Sequence, residues 1–265
     1  MLTIYFSGTG NTKYIAELFS QEMDAICVSI EEDIDFQDHI KNHDILCFCY
    51  PIYGSRVPLI MRRFVAEHME AIKGKKLIIF ATQLLYSGDG ARVFTDLFQP
   101  GTVEVIYAEH FNLPNNVSNL FFLGENSAEK LEKKRQKAEA KLEQMCRNIK
   151  NGISKKRGFS AGSKFLGNLQ GLAWQGNSRR IEANSKLGER TMGKAVRIDR
   201  DCTMCGLCVK LCPMDNLEQK GGVIAQQDNC TVCYRCVNAC PQRAISIYFR
   251  AKPKWQYKGM KNATK

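Results

Sequence analysis

Eight of the twelve cysteines in this 265-residue chain fall into two copies of one phrase. Cys202, Cys205, Cys208 and Cys212 are followed by Pro213, and Cys230, Cys233, Cys236 and Cys240 by Pro241. Each copy reads C-x2-C-x2-C-x3-C-P, a spacing that holds cubic iron–sulfur clusters. The physical reason is reach. Three thiolates spaced by two residues on a tight turn converge on three corners of a cube, while the fourth, opening a short helix, points away and caps the other cube. Cys202, Cys205, Cys208 and Cys240 are thus expected to hold one 4Fe–4S cluster, and Cys230, Cys233, Cys236 and Cys212 a second. Zinc and disulfides are the alternatives. Structural zinc is commonly held by separated CxxC pairs and needs neither the third cysteine nor the proline. Disulfides suit secreted chains, whereas the opening Met-Leu-Thr-Ile-Tyr-Phe reads as a strand with no basic-then-apolar leader.

A second chemistry lies near the start. Ser7-Gly8-Thr9-Gly10-Asn11-Thr12 follows a short apolar run and precedes apolar residues at helical spacing. Strand, glycine-rich turn and helix start make a phosphate cradle. Backbone N–H groups at the helix N-terminus face the anion, and the hydroxyls of Ser7, Thr9 and Thr12 add neutral donors. The dinucleotide fingerprint needs glycine where Lys13 stands, and the P-loop needs Gly-Lys-Ser/Thr. Neither fits.

The elements that must position these groups follow from apolar patterning. Residues 2–6, 25–29, 44–50, 76–82 and 103–111 read as strands, the third continuously apolar as in the middle of a parallel sheet. Helices are predicted after the first turn, over 58–71, after Gly90 and over 127–150. Strands alternating with helices specify an α/β fold with a parallel sheet. The other four cysteines, Cys27, Cys47, Cys49 and Cys146, fall in strand or helix patterns and read as buried thiols.

Residues 196–250 resemble the two-cluster bacterial ferredoxins, a small α+β domain whose internal repeat matches the doubled cysteine phrase. Residues 1–150 resemble flavodoxin, most strongly at residues 7–12. That resemblance implies FMN and a doubly wound five-stranded sheet of order 2-1-3-4-5, in which the loops after strands one, three and four meet. It carries the flavin site onto Ser7, Gly8, Thr9, Gly10, Asn11 and Thr12, onto Pro51, Ile52, Tyr53 and Gly54, and onto Thr82, Gln83, Tyr86, Ser87, Gly88, Asp89 and Gly90. Tyr53 would stack on the isoalloxazine, with Tyr86 second, and the Gly88-Asp89-Gly90 backbone would line the pyrimidine edge. Together the two halves resemble the flavodoxin–ferredoxin fusions of anaerobic bacteria and archaea.

The net charge of +11 is uneven: residues 1–150 carry −3, residues 151–195 carry +7 and the tail 251–265 carries +5. The basic excess sits in linker and tail, which suits acidic faces of this protein or of an acidic redox partner. No nucleic-acid module accompanies it, and no apolar stretch is long enough for a membrane span. Within 151–195, Phe165, Leu166, Leu169, Leu172 and Ala173, with Trp174 beside them, lie on one helical face, which predicts a short helix docked between the domains. The free thiols and the lack of a secretion signal imply a reducing cytoplasm, and the resemblance implies electron transfer between FMN and two clusters, with ferredoxin-linked oxidoreductases as partners. The rival reading is a flavin reductase of a quinone, dioxygen or a small metabolite, fed by the clusters.

Overall fold

Alternation along the strands buries both faces of one sheet. Leu2, Ile4 and Phe6, then Leu46, Phe48 and Tyr50, then Leu77, Ile79 and Ala81 pack on one side, while Tyr5, Cys47, Cys49, Ile78 and Phe80 pack on the other. A computed structural model describes residues 1–119, 124–175, 196–227, 229–247 and 251–260. The strands are β1 (Leu2–Tyr5), β2 (Ile26–Ser29), β3 (Ile45–Pro51), β4 (Lys76–Gln83), β5 (Glu104–Asn112) and β6 (Lys155–Lys156). They form a six-stranded sheet of order β2-β1-β3-β4-β5-β6, with every pairing parallel. The fold is flavodoxin-like. Helices α2 (Phe36–Lys41), α3 (Leu59–Glu67) and α4 (Met69–Ile72) cover the first face. Helices α1 (Asn11–Met23) and α5 (Ala128–Lys150) cover the second.

Two expectations change. The sheet has six strands rather than five, because Lys155 and Lys156, in the stretch read as linker, pair with Tyr107 and Ala108. A two-residue lysine strand carries no apolar alternation to read. It is held instead by charge: buried Glu109 accepts from Lys141 and Lys155 at 2.9 and 2.8 Å, with Arg157 at 3.5 Å. After Gly90 the chain makes only a 3-10 turn, Arg92–Leu97, tightened by Arg92 bridging Asp89 and Asp96 at 2.8 and 2.7 Å. A further helix, α6 (Ala161–Gln175), follows β6.

The cysteine-rich region has an internal twofold plan. Strand β7 (Val196–Ile198), helix α7 (Leu207–Lys210) and strand β8 (Leu217–Lys220) are echoed by β9 (Val223–Gln226), α8 (Arg235–Ala239) and β10 (Ile245–Ile247). β7 pairs with β10 and β8 with β9, both antiparallel. The backbone repeats as well as the sequence. Met204, Gly206 and Asp215 have positive φ, and so do Val232, Tyr234 and Arg243, each 28 residues later. Among the described residues, no helix is long and apolar enough to cross a membrane.

Candidate functional site

The loops after β1, β3 and β4 meet at the carboxyl edge of the sheet, where a doubly wound fold reverses its strand order. They enclose a cavity of about 290 Å³. Ser7, Gly8, Thr9, Asn11 and Thr12 line it from the first loop, Pro51, Ile52, Tyr53 and Gly54 from the second, and Thr82, Gln83, Tyr86 and Ser87 from the third. The N-terminus of α1 opens at this cavity with no side-chain cap, Gly10 standing before it at φ 95°. Uncapped N–H groups beside neutral hydroxyls are the donor set that a phosphate needs. The hydroxyls are positioned in turn: Thr12 Oγ1 lies 2.7 Å from Thr82 Oγ1, and Thr9 Oγ1 accepts from Asn116 Nδ2 at 2.9 Å.

Four predicted residues do not line the cavity. Gly10 turns its N–H to Ser7 Oγ. Gly88 backs onto α6, where an added Cβ would fall 2.5 Å from the Gly167 nitrogen. Asp89 is fully buried against Arg92, and the Gly90 carbonyl accepts from the Tyr50 hydroxyl at 2.8 Å. The backbone of these last three, read for the pyrimidine edge, stands beside that lining rather than in it. α6 packs against this stretch at Gly88, and Gln170 of that helix lines the cavity itself, donating to the Tyr86 carbonyl at 2.8 Å. Leu113, Pro114, Asn116 and Val117, after β5, complete that side. No sequence motif marks them, although Asn115-Asn116 is a turn signal in the right place.

The eight motif cysteines ring two small hollows. Cys202, Cys205, Cys208 and Cys240 line one, and Cys212, Cys230, Cys233 and Cys236 line the other. Among the described residues no three His, Cys, Asp or Glu side chains form a group that would hold a single metal ion. An all-thiol quartet around a hollow suits a cluster with a corner for each sulfur. Backbone N–H groups turn inward to the sulfurs, Asn216 to Cys212 and Ala244 to Cys240 at 3.3 Å each, again 28 residues apart. Such bonds stabilise charged sulfur and help set the potential of a cluster.

The comparisons with known proteins agree with this geometry. The Flavodoxin domain family matches residues 2–119, and the 4Fe-4S dicluster domain family matches residues 194–241. The chain joins a flavodoxin domain to a ferredoxin-like one. Together they support FMN and iron–sulfur binding and electron transfer in general. Among similar solved structures, two-electron reduced flavodoxin from Megasphaera elsdenii is 23% identical, with 44% of this chain and 90% of that chain covered and a TM-score of 0.38. General stress protein 14 from Treponema denticola, in complex with FMN, is 13% identical, with 56% and 97% covered and a TM-score of 0.40. No curated protein matches the chain.

The flavodoxin and ferredoxin-like domains meet at the cradle itself. A Cβ on Gly8 would fall 2.5 Å from both the Cys233 carbonyl oxygen and the Tyr53 hydroxyl. Gly8 is glycine because the second cysteine motif lies on it. Burial, with Cys233 close by, pushes the Tyr53 phenol well above its usual range, so it stays neutral. Arg235, at the start of α8, locks the contact. Its guanidinium donates to the Ser7 and Gly8 carbonyls at 2.8 and 3.1 Å, to both oxygens of Glu31 at 2.7 and 2.8 Å, and to the Leu211 carbonyl at 3.2 Å. Leu59 N–H donates to Thr231 Oγ1, Arg63 to Asn229 Oδ1, and Asn238 to the Asn116 carbonyl.

The tail, which shows no pattern in the sequence, returns across this seam. Trp255, Tyr257 and Met260 are buried; the Tyr257 hydroxyl donates to Asn11 Oδ1, and its N–H to Asn238 Oδ1 at 2.7 Å. Of the α6 face expected to dock between the domains, the three residues whose side chains are described are exposed. Phe165, Leu166 and Leu169 are 67, 46 and 55% exposed, while Ser163, Gly167 and Gln170 face the flavodoxin domain. The side chains of Leu172, Ala173 and Trp174, residues 176–195 and residues 261–265 lie outside the described residues.

Proposed function

We propose that this protein is an electron-transfer unit in which FMN and two 4Fe–4S clusters exchange electrons within one chain and with redox proteins, ferredoxin-linked oxidoreductases of anaerobic metabolism, outside it. The observation that carries this reading is the close packing of Cys233 on Gly8, which brings a cluster ligand to the wall of the flavin cavity. When bound, the clusters supply single electrons and the flavin takes one or two. The residues do the rest by position. Cys202, Cys205, Cys208 and Cys240 hold the outer cluster, whose Cys205 is exposed and offers the face for a partner. Cys212, Cys230, Cys233 and Cys236 hold the inner one beside the cradle. Ser7, Thr9 and Thr12 hold the phosphate, Tyr53 stands at the ring, and Arg235 fixes the separation of cradle and inner quartet.

The test is pulse reduction of the anaerobically loaded chain, followed by visible absorbance. Electron exchange between flavin and clusters should be first order, with a rate independent of protein concentration. A rate that rises with concentration, or clusters that never equilibrate with the flavin, would sink the reading.

A further inference from the structure

The flavin cavity is not walled by the flavodoxin domain alone. Val232 and Tyr234, the residues on either side of Cys233, line it from the second cysteine motif. Both are held at left-handed angles, with φ of 60° and 61°. Neither a β-branched nor an aromatic residue adopts that region without surroundings that fix it there. The internal repeat supplies the comparison. In the first motif the position equivalent to Tyr234 is Gly206, at φ 73°, where glycine meets the same demand without strain. Neither Met204 nor Gly206 touches the flavin cavity. Met204, equivalent to Val232, is left-handed too at φ 57°, so the motifs part at one position, where the motif that faces the cavity keeps an aromatic side chain and the other has glycine. What fixes Val232 and Tyr234 is the convergence of Cys230, Cys233 and Cys236 on one hollow, together with the bond from the Val232 N–H to Cys230 Sγ at 3.2 Å.

We propose that Val232 and Tyr234 are flavin-site residues set in place by the inner cluster, so that FMN binds tightly only to a chain whose second motif is assembled. This rests on the reading of the cavity as an FMN site and of the second quartet as a cluster site. It gives the chain an order of loading, iron and sulfide before flavin. A chain short of iron then carries no flavin that lacks an outlet for its electrons.

The experiment is anaerobic titration of the flavin-free, full-length chain with FMN, read by flavin fluorescence, with iron and sulfide measured on the same samples. Cys236→Ala removes an inner ligand that does not line the flavin cavity. It should raise the Kd for FMN by about tenfold or more, as when the competent wall is populated a tenth of the time or less. Cys205→Ala, the matched loss from the outer quartet, should leave the Kd near that of the parent chain. Val232→Ala and Tyr234→Gly should weaken FMN while iron and sulfide stay at parental levels, so the test stands even where Cys236→Ala fails to fold. Equal affinity in the parent and Cys236→Ala, equal weakening by Cys236→Ala and Cys205→Ala, or undiminished affinity in both wall variants would each overturn the proposal. A parent chain with full iron that binds no FMN would overturn the cavity reading itself, and the proposal with it.

Discussion

At the scale of single residues, Cys212 is the most informative, because it belongs by sequence to the first motif and by position to the second hollow. Cys212→Ala should therefore spare the outer quartet and strip the inner one. Iron should fall from about eight to about four atoms per chain, in line with one cube lost of two. Loss of the cluster held by Cys202, Cys205 and Cys208 instead would refute the crossed pairing. At the cradle, Thr9 Oγ1 already accepts a bond from Asn116, which leaves its proton to donate. Thr9→Ala and Thr12→Ala should each weaken FMN by roughly 1.5–3 kcal/mol, the worth of a hydrogen bond to a charged group, and riboflavin much less. Equal loss for both ligands in a binding titration would move the phosphate elsewhere. These residues were legible in the sequence because their chemistry is local: motif spacing and a strand–turn–helix junction are each contained in a dozen residues. Asn116, Gln170, Val232 and Tyr234 were not legible, since each reaches the cavity from an element whose docking no local pattern records.

Among the elements, α8 and β5 each carry a consequence that can be measured. Arg235 on α8 uses its planar fork on five acceptors from both domains. A lysine keeps the charge but not the fork. Arg235→Lys should cost on the order of 1.5–3 kcal/mol and split one thermal transition into two, read by flavin release against cluster bleaching. A single unshifted transition would show the lock to be idle. On β5, His110 is buried with its Nε2 accepting from the Ala91 N–H at 2.9 Å, and burial, with Arg157 nearby, pulls it down to about 4. The unfolded chain binds this proton near pH 6.5 while the folded chain refuses it. The stability due to neutral His110 is thus full above about pH 6.5 and lost as pH falls toward 4. Denaturant midpoints should fall across that window, and His110→Gln, which keeps an acceptor, should flatten the fall. A slope unchanged by the substitution would assign it to other groups. The five longer strands are apolar enough to read directly. β6 is not, because a strand of two lysines, one of them paired with buried Glu109, leaves no hydrophobic trace.

For the whole molecule, the close association of the two domains expected from the sequence comes with direct packing of one domain on the other. Cys233 is counted in the same apolar cluster as Phe48 and Tyr50 of the sheet, and Val117, after β5, packs into the core of the ferredoxin-like domain. Severing the chain by protease anywhere within 176–195 should therefore leave both halves together. Gel filtration should show one species that retains FMN, and flavin–cluster exchange should be as fast as before the cut. Separation of the halves would mean that the covalent connection, and not the packed face, holds the cofactor sites at their spacing.

The returning tail also bears on how the molecule is made. Tyr257 and Met260 close over Asn11 and Tyr14, residues that leave the ribosome long before them. The amino-terminal domain can gather its sheet during synthesis, yet the outer side of its first helix waits for a strap that is translated after both cysteine motifs. During that interval the edge of the cradle at Asn11 stands without its cover, and the final closure records that every cysteine of both motifs has already been delivered.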